Sequence, residues 1–341
     1  MLDVMAVYLG DRLDLYRTLQ AAGPMTAGEL AERAGIDERY AREWLEQQAA
    51  TDLLDVEDPT AEPEARRFSL PEAYADALTD PDSPYSIAPL GRSLVACAKA
   101  LPLLLEAYRT GDGVAWADYG PDMIEAQGDF NRPWLVNDFG STILPAMTDI
   151  HARLTGDPPA RVADIACGVG WAAIALARAY PTVIVDGYDL DAASIALAQD
   201  NARRNAVADR VTFAQRDASD ATAVGQFDLA LIIESVHDMS RPVEVLAAVR
   251  GMLGPSGVLL VADEKTEDRF TAPAGELERL FYGYSILTCL PAARTERPTA
   301  ATGTVMREDT MRRYAREAGF MGFERIDPPE LETLRFYRLT P

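Results

Sequence analysis

The positions of hydrophobic and polar residues separate the chain into parts with different periods. From about residue 156, short apolar runs rich in β-branched residues alternate with amphipathic helical patterns such as WAAIALARAY and RPVEVLAAVRGML. The runs are RVADIA, TVIVDGYD, RVTFAQ, FDLALIIE and GVLLVAD. This alternation predicts an α/β domain over 156–341, a Rossmann-like, doubly wound parallel sheet with helices on both faces. A final helix and the strands FERIDP and LRFYRLT complete it.

Residues 1–90 follow a helical period instead. Thr26 and Asp37 are placed to cap two successive helices, and Gly35 to end the first. In the second helix the apolar positions recur at helical spacing, at Ala41, Trp44, Leu45 and Ala49. The short strand that follows, in ARRFSL, is typical of a wing. The pattern predicts a mainly helical winged-helix domain, joined to the α/β domain by a helical connector over 91–155.

The charge of the chain disfavours nucleic acid as a partner. The formal net charge is -22, and the candidate recognition helix begins with four acidic residues and two arginines. A surface that binds a phosphate backbone needs the opposite balance. We therefore expect the winged helix to serve dimerisation, as a homodimer, and closure of a pocket.

Two further features concern location. The sequence has no apolar run of eighteen residues and no basic, cleavable leader, so we expect no membrane contact. Its three cysteines form no CxxC pair, which disfavours a disulfide framework. A reducing, cytoplasmic location fits best.

Candidate binding residues stand at the carboxyl ends of the predicted strands, where open parallel sheets bind their ligands. The glycine turn after the first strand is neither the phosphate-binding GxGxxG pattern nor a GxxxxGK[ST] loop. A carboxylate at the end of the second strand can accept both hydroxyls of a ribose. The residues at the four strand ends are Asp164, Ala166, Gly168 and Gly170, then Asp189 and Leu190, then Asp217 and Ala218, and finally Ile233 and Glu234.

In this order the strand ends resemble those of the class I S-adenosylmethionine-dependent methyltransferases. The whole chain is similar to small-molecule O-methyltransferases and to bacterial winged-helix methyltransferases, with which it shares ERYAREWLEQQA, DIACGVGW, VHDM, LFYGYSIL and ATGTVMR. The resemblance implies S-adenosylmethionine as cofactor and S-adenosylhomocysteine as product. It places Asp164 and the glycine turn at the methionine end, Asp189 at the ribose, Leu190 at the adenine face, and Asp217 with Ala218 at the adenine edge. Ala166 departs from a frequent glycine of the family.

The resemblance also gives a role to His237, one of only two histidines. In the O-methyltransferases a histidine at this point is the general base, and an unperturbed imidazole is largely neutral at neutral pH. Glu234 or Glu264 is expected to orient it, with the role of Asp238 left open. Asp263 or Glu264 is the counterpart of one orienting glutamate of the family. The alternative is that His237 only caps the following helix.

A metal-dependent chemistry is the less favoured alternative. Some winged-helix relatives methylate the carbon of α-keto acids and bind iron through the His-Asp pair and a later histidine. Here Thr288 stands where those relatives often have histidine, and only His151 could complete such a set. We therefore predict no metal.

The segment 265–304 is predicted to cover the acceptor pocket as a lid. Phe281, Tyr282, Tyr284 and Leu287 offer an aromatic or apolar wall, or else pack a core of their own. Arg294 and Arg297 either pair with a substrate carboxylate or lie in a solvated loop.

Together these features predict O-methylation of a small or medium natural-product-like molecule, or a short peptide, in secondary metabolism. The first alternative is N- or C-methylation of an amino-acid-like or keto-acid-like substrate. The second is a winged-helix transcriptional regulator that senses S-adenosylmethionine or a metabolite. The third is a degenerate domain that acts as a scaffold, which the intact set of strand-end residues disfavours.

Overall fold

The computed structural model describes residues 2–220 and 226–341. The chain divides into two compact units, one of residues 1–96 and 125–133, the other of residues 97–124 and 134–341. The elements up to the second unit's sheet are α1 (Leu2–Arg12), α2 (Leu15–Ala22), α3 (Ala27–Ala34), α4 (Glu38–Ala50), β1 (Asp55–Val56), β2 (Phe68–Ser69), α5 (Glu72–Leu78), α6 (Ala88–Thr110), α7 (Pro121–Trp134), the π-helix Leu135–Ile143, α8 (Leu144–Ala146) and α9 (Thr148–Leu154).

The helix pair α3–α4 forms as its capping residues predict. The hydroxyl of Thr26 accepts the N–H of Glu29 at 3.3 Å, while the Glu29 carboxylate accepts the N–H of Thr26 at 2.8 Å, a complete capping box. Gly35 ends α3 with a φ of 67°, and Asp37 caps α4 through two backbone N–H groups. Strands β1 and β2 pair antiparallel beside the helices, so the predicted winged helix is confirmed.

The second unit contains a seven-stranded sheet. Its elements are β3 (Arg161–Ile165), α10 (Trp171–Ala179), β4 (Ile184–Asp189), α11 (Ala192–Arg204), β5 (Val211–Gln215), β6 (Phe227–Ile233), α12 (Pro242–Met252), β7 (Leu253–Glu264), α13 (Glu276–Tyr284), the π-helix Ser285–Cys289, α14 (Leu290–Ala293), α15 (Glu308–Glu317), β8 (Gly322–Ile326) and β9 (Leu334–Thr340).

The strand order is β5-β4-β3-β6-β7-β9-β8. Strands β3 to β7 run parallel, and β9 and β8 are added antiparallel at one edge. Successive residues of a central strand point to opposite faces, and each face has its own buried cluster: Val162 packs in one, Ala163 and Ile165 in the other. The doubly wound sheet predicted from the sequence is confirmed, and the order reverses between β3 and β6, at the switch point where ligands bind.

Helix α6 needs separate mention because of its composition. By length and apolar character alone it could span a membrane, but 56% of its most apolar window is buried within the structure. The core helix of a folded protein has the same properties, so α6 is weak evidence for a membrane span.

Candidate active site at the carboxyl ends of the strands

The loop after β3 adopts left-handed backbone at three positions. Ala166, Gly168 and Gly170 have φ values of 54°, 51° and 84°. A left-handed backbone conformation costs an alanine residue about 1–2 kcal/mol, whereas glycine adopts it without this cost, which explains why glycine suits position 166 in the family. A Cβ on Gly170 would stand 2.5 Å from the ring of Phe213, whereas one on Gly168 would have no heavy atom within 4 Å. The space beside Gly170 is therefore filled by Phe213, whereas the space beside Gly168 is open.

Asp189 ties this loop to the end of β4. One carboxylate oxygen accepts the N–H of Gly168 at 2.8 Å, and the other accepts the N–H of Asp191 at 2.9 Å. Burial raises the pKa of Asp189, and these backbone hydrogen bonds act against that rise. Two predicted site residues from different strands are thus in direct contact.

Asp164 lies beneath the same loop and is 1% exposed. Its carboxylate accepts the N–H of Ala173, in the first turn of α10, at 3.2 Å. Burial raises the pKa of Asp164 to about 7, well above the 3.8 of a free carboxyl. The site therefore contains a carboxylate that is costly to ionise unless a cation stands beside it.

The other predicted cofactor residues lie at the ends of the neighbouring strands. Leu190 is 62% exposed. Asp217 accepts hydrogen bonds from the N–H and the O–H of Ser219 at 2.8 and 2.7 Å. Partial burial of Asp217 raises its pKa, but the two hydrogen bonds outweigh burial, so the pKa lies below its usual value. Ala218 and Ile233 are half-buried, each against one of the two clusters of the sheet.

His237 stands in a single 3₁₀ turn after β6, and its ring is buried, with 2% of the side chain exposed. Its Nδ1 lies 2.8 Å from Oδ1 of Asp263 and 3.1 Å from Oε2 of Glu264, both at the end of β7. Its Nε2 lies 3.3 Å from Oδ1 of Asp238. Of the two residues predicted to orient the ring, the structure brings Glu264 to it, together with Asp263 and with Asp238, whose role was left open.

Glu234, which directly follows β6, is held through its backbone. Its φ is 48°, and its N–H donates to the carbonyl of Ala262 at 2.8 Å, which fixes the backbone between β6 and β7. Its charge also raises the pKa of Glu264.

The protonation of His237 differs from the sequence-based expectation of a largely neutral ring. Burial alone would lower its pKa, but the carboxylates of Asp263, Glu264 and Asp238 outweigh burial and raise that pKa well above 6.5. Burial raises the pKa of Glu264 well above 4.5. The four side chains therefore share their protons as one coupled group. The expectation was wrong because the acids of β7 cannot be placed beside the ring from sequence alone.

Cys289 was not predicted as a site residue, and the structure places it there. Its sulfur lies close to a ring nitrogen of His237 and to a carboxylate oxygen of Asp238, and the three atoms are within 4.8 Å of one another. Burial raises the pKa of the thiol to about 12. The π-helix Ser285–Cys289 brings it there, a kind of irregular turn common at functional sites.

The π-helix is held by two tyrosines of the segment 97–124. The hydroxyl of Tyr119 donates to the carbonyl of Leu287 at 2.6 Å, and that of Tyr108 to the carbonyl of Ile286 at 3.2 Å. Carbonyls that leave a regular helical ladder need such donors. The only sequence signal for this arrangement was the run of aromatic residues in both segments.

The arginines of the segment 265–304 are hydrogen-bonded to the end of α6, although Arg297 also lies in solvent, with 59% of its side chain exposed. Both Arg294 and Arg297 donate to the carbonyl of Gly111, at 2.7–2.9 Å. A buried pair joins Glu278 to Arg307 at 2.5 Å, where Glu278 is 4% exposed. The two arginines named as candidate partners of a substrate carboxylate are thus engaged with the end of α6.

The side chains of the predicted wall differ in burial. Phe281 is 5% exposed, whereas Tyr282, Tyr284 and Leu287 are half-buried. Tyr282 accepts a hydrogen bond from Arg307 at 3.2 Å. A wall of the acceptor pocket built from these residues stays a prediction.

Two sets of side chains within the described residues have ligand atoms close enough together for a metal ion. They are His237 with Asp238 and Cys289, and His237 with Asp263 and Glu264. Thr288, by contrast, donates to the carbonyl of Tyr284 at 2.8 Å. The absence of a metal from the reaction stays a prediction.

Comparison with known proteins agrees with this geometry. Residues 157–308 match a family model described as a methyltransferase domain, and residues 2–80 match that of an Rv2258c-like winged HTH domain. An uncharacterised protein of Synechococcus is 32% identical over 114 residues, which are 32% of this chain and 27% of that protein. The chain thus spans about a quarter of the length of that curated relative.

Solved structures resemble the chain over nearly its whole length. Mitomycin 7-O-methyltransferase matches with a TM-score of 0.66 and 21% identity, covering 99% of this chain and 94% of that one. Human N-acetylserotonin methyltransferase, solved with S-adenosylmethionine, matches with a TM-score of 0.69 and 18% identity, covering 100% and 94%. At these identities the likeness establishes the fold.

Proposed function

We propose that the protein O-methylates a small or medium natural-product-like acceptor with S-adenosylmethionine, since residues 157–308 match the family model of a methyltransferase domain and residues 2–80 that of a winged HTH domain. S-adenosylmethionine supplies an electrophilic methyl group on a sulfonium and leaves as S-adenosylhomocysteine. The two structurally similar enzymes named above support a small acceptor, since mitomycin and N-acetylserotonin are small molecules.

The residues at the ends of β3 and β4 suit this cofactor. The open face of Gly168 leaves room for a ligand against the backbone. The carboxylate of Asp189 is fixed by two backbone N–H groups and would accept the ribose hydroxyls. The buried carboxyl of Asp164 suits the methionine end of the molecule, which is cationic. Leu190, exposed beside Asp189, would cover the adenine.

His237 is the proposed general base, and the hydrogen bond that carries this proposal joins its Nδ1 to Asp263. This bond would fix the ring so that Nε2, which also lies 3.3 Å from Oδ1 of Asp238, is the nitrogen that accepts the proton of the acceptor. The acceptor hydroxyl would give its proton to Nε2 while its oxygen attacks the methyl carbon. The carbon–sulfur bond then breaks, and its electron pair stays on sulfur. Alignment of these atoms supplies much of the acceleration.

The raised pKa of His237 sets a condition on this role, because only a neutral imidazole accepts a proton. A positive sulfonium bound nearby disfavours the imidazolium and lowers its pKa. His237 would therefore become a competent base once the cofactor is bound, which couples deprotonation of the acceptor to the presence of the methyl donor.

The test compares the two histidines. We expect His237→Gln and His237→Ala to keep S-adenosylmethionine affinity in calorimetry but to lose transfer of labelled methyl to hydroxyl acceptors, by about 10²–10⁴-fold for a general base. His151→Ala is the matched control, since His151 bonds Tyr180 at 3.0 Å outside the site. Turnover that survives in both His237 variants would remove the base assignment, and failure to bind the cofactor would remove the proposed function itself.

Helix α1 supports the proposed homodimer through the N-terminal domain. Leu2, Met5 and Leu9 are 82%, 36% and 49% exposed and recur at helical spacing along α1. A contiguous apolar face of this kind marks an interaction surface. Light scattering should give the mass of two chains, and Leu9→Glu should reduce it to one.

We also propose that the winged helix binds no DNA. In α4, Arg39 pairs with Glu43, and Arg42 pairs with Glu64 at 2.9 Å, so both arginines of the candidate recognition helix already meet a carboxylate. We propose that the enzyme works in the cytoplasm, where the thiols of Cys97, Cys167 and Cys289, all free within the described residues, stay reduced.

A further inference from the structure

The π-helix Ser285–Cys289 lies beside the proposed base. At its carboxyl end, the sulfur of Cys289 lies within 4.8 Å of a ring nitrogen of His237 and of a carboxylate oxygen of Asp238. Helix α14 follows without a break and packs against the 3₁₀ turn that carries His237. The backbone of the π-helix therefore determines which side chain lies next to the imidazole.

Two tyrosine hydroxyls donate to carbonyls of this π-helix, and one of the two is shielded from water. Tyr108 donates to the carbonyl of Ile286 at 3.2 Å and is 64% exposed, so water can take the place of its hydroxyl. Tyr119 donates to the carbonyl of Leu287 at 2.6 Å and is 2% exposed. Burial also raises the pKa of the Tyr119 phenol, which keeps the hydroxyl protonated and able to donate. Tyr119 is thus the donor that solvent cannot replace.

The chain around Tyr119 is itself fixed beside the π-helix. The N–H of Val114 donates to the carbonyl of Pro291 at 3.1 Å, and Val114 is 3% exposed. A 3₁₀ helix begins two residues later, at Trp116, and Tyr119 is its last residue. The hydroxyl therefore reaches the π-helix from a backbone that is already bonded to the residues that follow it.

A carbonyl of a π-helix that loses its outside donor can be satisfied by a change of helical type. An α-helix closes each hydrogen-bonded turn with one residue fewer than a π-helix. Rewinding to the α form turns the residues after Leu287 about the helix axis, so that Cys289 leaves the ring of His237. Backbone carbonyls away from water seldom stay without a donor, so this change is the expected response to loss of the hydroxyl.

Resting on the proposed methyl transfer, we infer that Tyr119 is a positioning residue of the reaction. Its hydroxyl keeps the segment Ser285–Cys289 in the π form, which places Cys289 beside His237. Tyr119 acts on the base only through this segment. Its removal therefore changes the surroundings of the imidazole and leaves the cofactor residues at the ends of β3 and β4 in place.

The experiment uses the full-length protein saturated with S-adenosylhomocysteine, and the variant Tyr119→Phe, which removes the hydroxyl and keeps the ring. Burial raises the pKa of the Cys289 thiol to about 12, so few of these thiols are ionised at neutral pH. Displacement toward solvent lowers that pKa and raises the fraction of reactive thiolate. We expect iodoacetamide to alkylate Cys289 at least about tenfold faster in the variant, as measured by mass spectrometry of its peptide.

Nuclear magnetic resonance reports on the base itself. The chain has only two histidines, His237 and His151, so labelled histidine gives two ring signals, which His151→Ala assigns. We expect Tyr119→Phe to move the His237 signal and to leave that of His151 unchanged. Tyr180→Phe is the matched control, since Tyr180 is also buried, at 3% exposure, and its hydroxyl lies 3.0 Å from Nδ1 of His151. It should move the His151 signal alone and leave the alkylation rate of Cys289 unchanged.

Either readout can overturn the inference. It fails if Tyr119→Phe leaves the His237 signal or the alkylation rate of Cys289 as in the wild type, or if Tyr180→Phe changes both to the same extent. It also fails if wild-type Cys289 already reacts as fast as an exposed thiol, or if Tyr119→Phe abolishes S-adenosylhomocysteine binding, which would show a general structural role. Failure of the wild-type protein to bind S-adenosylhomocysteine would count against the proposed function instead, and the same two readouts would then be taken without it.

Discussion

Replacing Asp164 by asparagine should make the protein more stable while weakening its cofactor site. Asp164 is buried at 1% exposure and accepts one backbone hydrogen bond from Ala173. Asparagine has the same shape and can accept that bond through its amide oxygen. The change removes the charge and puts an N–H₂ donor in place of one carboxylate oxygen, and the cost of that donor does not depend on pH.

The magnitude follows from the pKa of Asp164, about 7 in the folded protein against 3.8 for a free carboxyl. The folded state binds this proton more tightly than the unfolded state, so stability is greatest below 3.8 and is lost as the pH rises to about 7. At about 1.4 kcal/mol per pH unit, the loss amounts to about 4 kcal/mol above pH 7. Asp164→Asn should recover up to this amount at pH 8 but only about 1.7 kcal/mol at pH 5, where the folded protein already holds the proton.

Denaturant unfolding of the full chain at pH 5 and pH 8 measures the effect, with Asp209→Asn, whose side chain is 72% exposed, as control. A gain of the same size at both pH values would refute the reasoning, as would no gain at pH 8. S-adenosylmethionine should also bind the variant more weakly, because the ammonium and sulfonium lose a nearby carboxylate.

Three other substitutions test the site and its support. Asp189→Ala should weaken S-adenosylmethionine binding in calorimetry, and unchanged affinity would contradict its role at the ribose. Arg307→Ala leaves the buried carboxylate of Glu278 unpaired and should lower the free energy of unfolding by about 3–5 kcal/mol. Arg204→Ala, which removes an exposed i,i+4 pair, should lower it by only about 0.3–0.5 kcal/mol in the same denaturant experiment. Gly187→Ala would place a Cβ 2.4 Å from the ring of Phe213 and should cost about 1–3 kcal/mol, and a neutral result would show that the ring moves freely.

The sheet could be predicted because its signals are local. Each parallel strand is a short apolar run, and the acids that end β3 and β4, Asp164 and Asp189, are next to it in sequence. The capping residues Thr26 and Asp37 act within three residues of their own position. Such features depend on neighbours that the sequence itself displays.

The surroundings of His237 could be predicted only in part, because they depend on contacts between distant segments. Asp263 lies 26 residues away, and Cys289 reaches the ring only through a π-helix that no periodic pattern indicates. Arg294 finds Gly111 across 183 residues. The pKa of the base depends on these contacts, so its direction could not be derived from the motif.

The order of the strands separates two tasks in space. Most residues proposed to hold the cofactor follow β3, β4 and β5 on one side of the switch point, with Ile233 and Glu234 at the end of β6, whereas those proposed to meet the acceptor follow β6 and β7 and the π-helix on the other. Selection acting on one half can therefore proceed with little effect on the other. A lineage could diversify its acceptors by recombining the segment 265–304 while keeping an unaltered methyl-donor site. Laboratory chimeras that exchange the segment 265–304 between related enzymes should acquire new acceptor preferences in the same way.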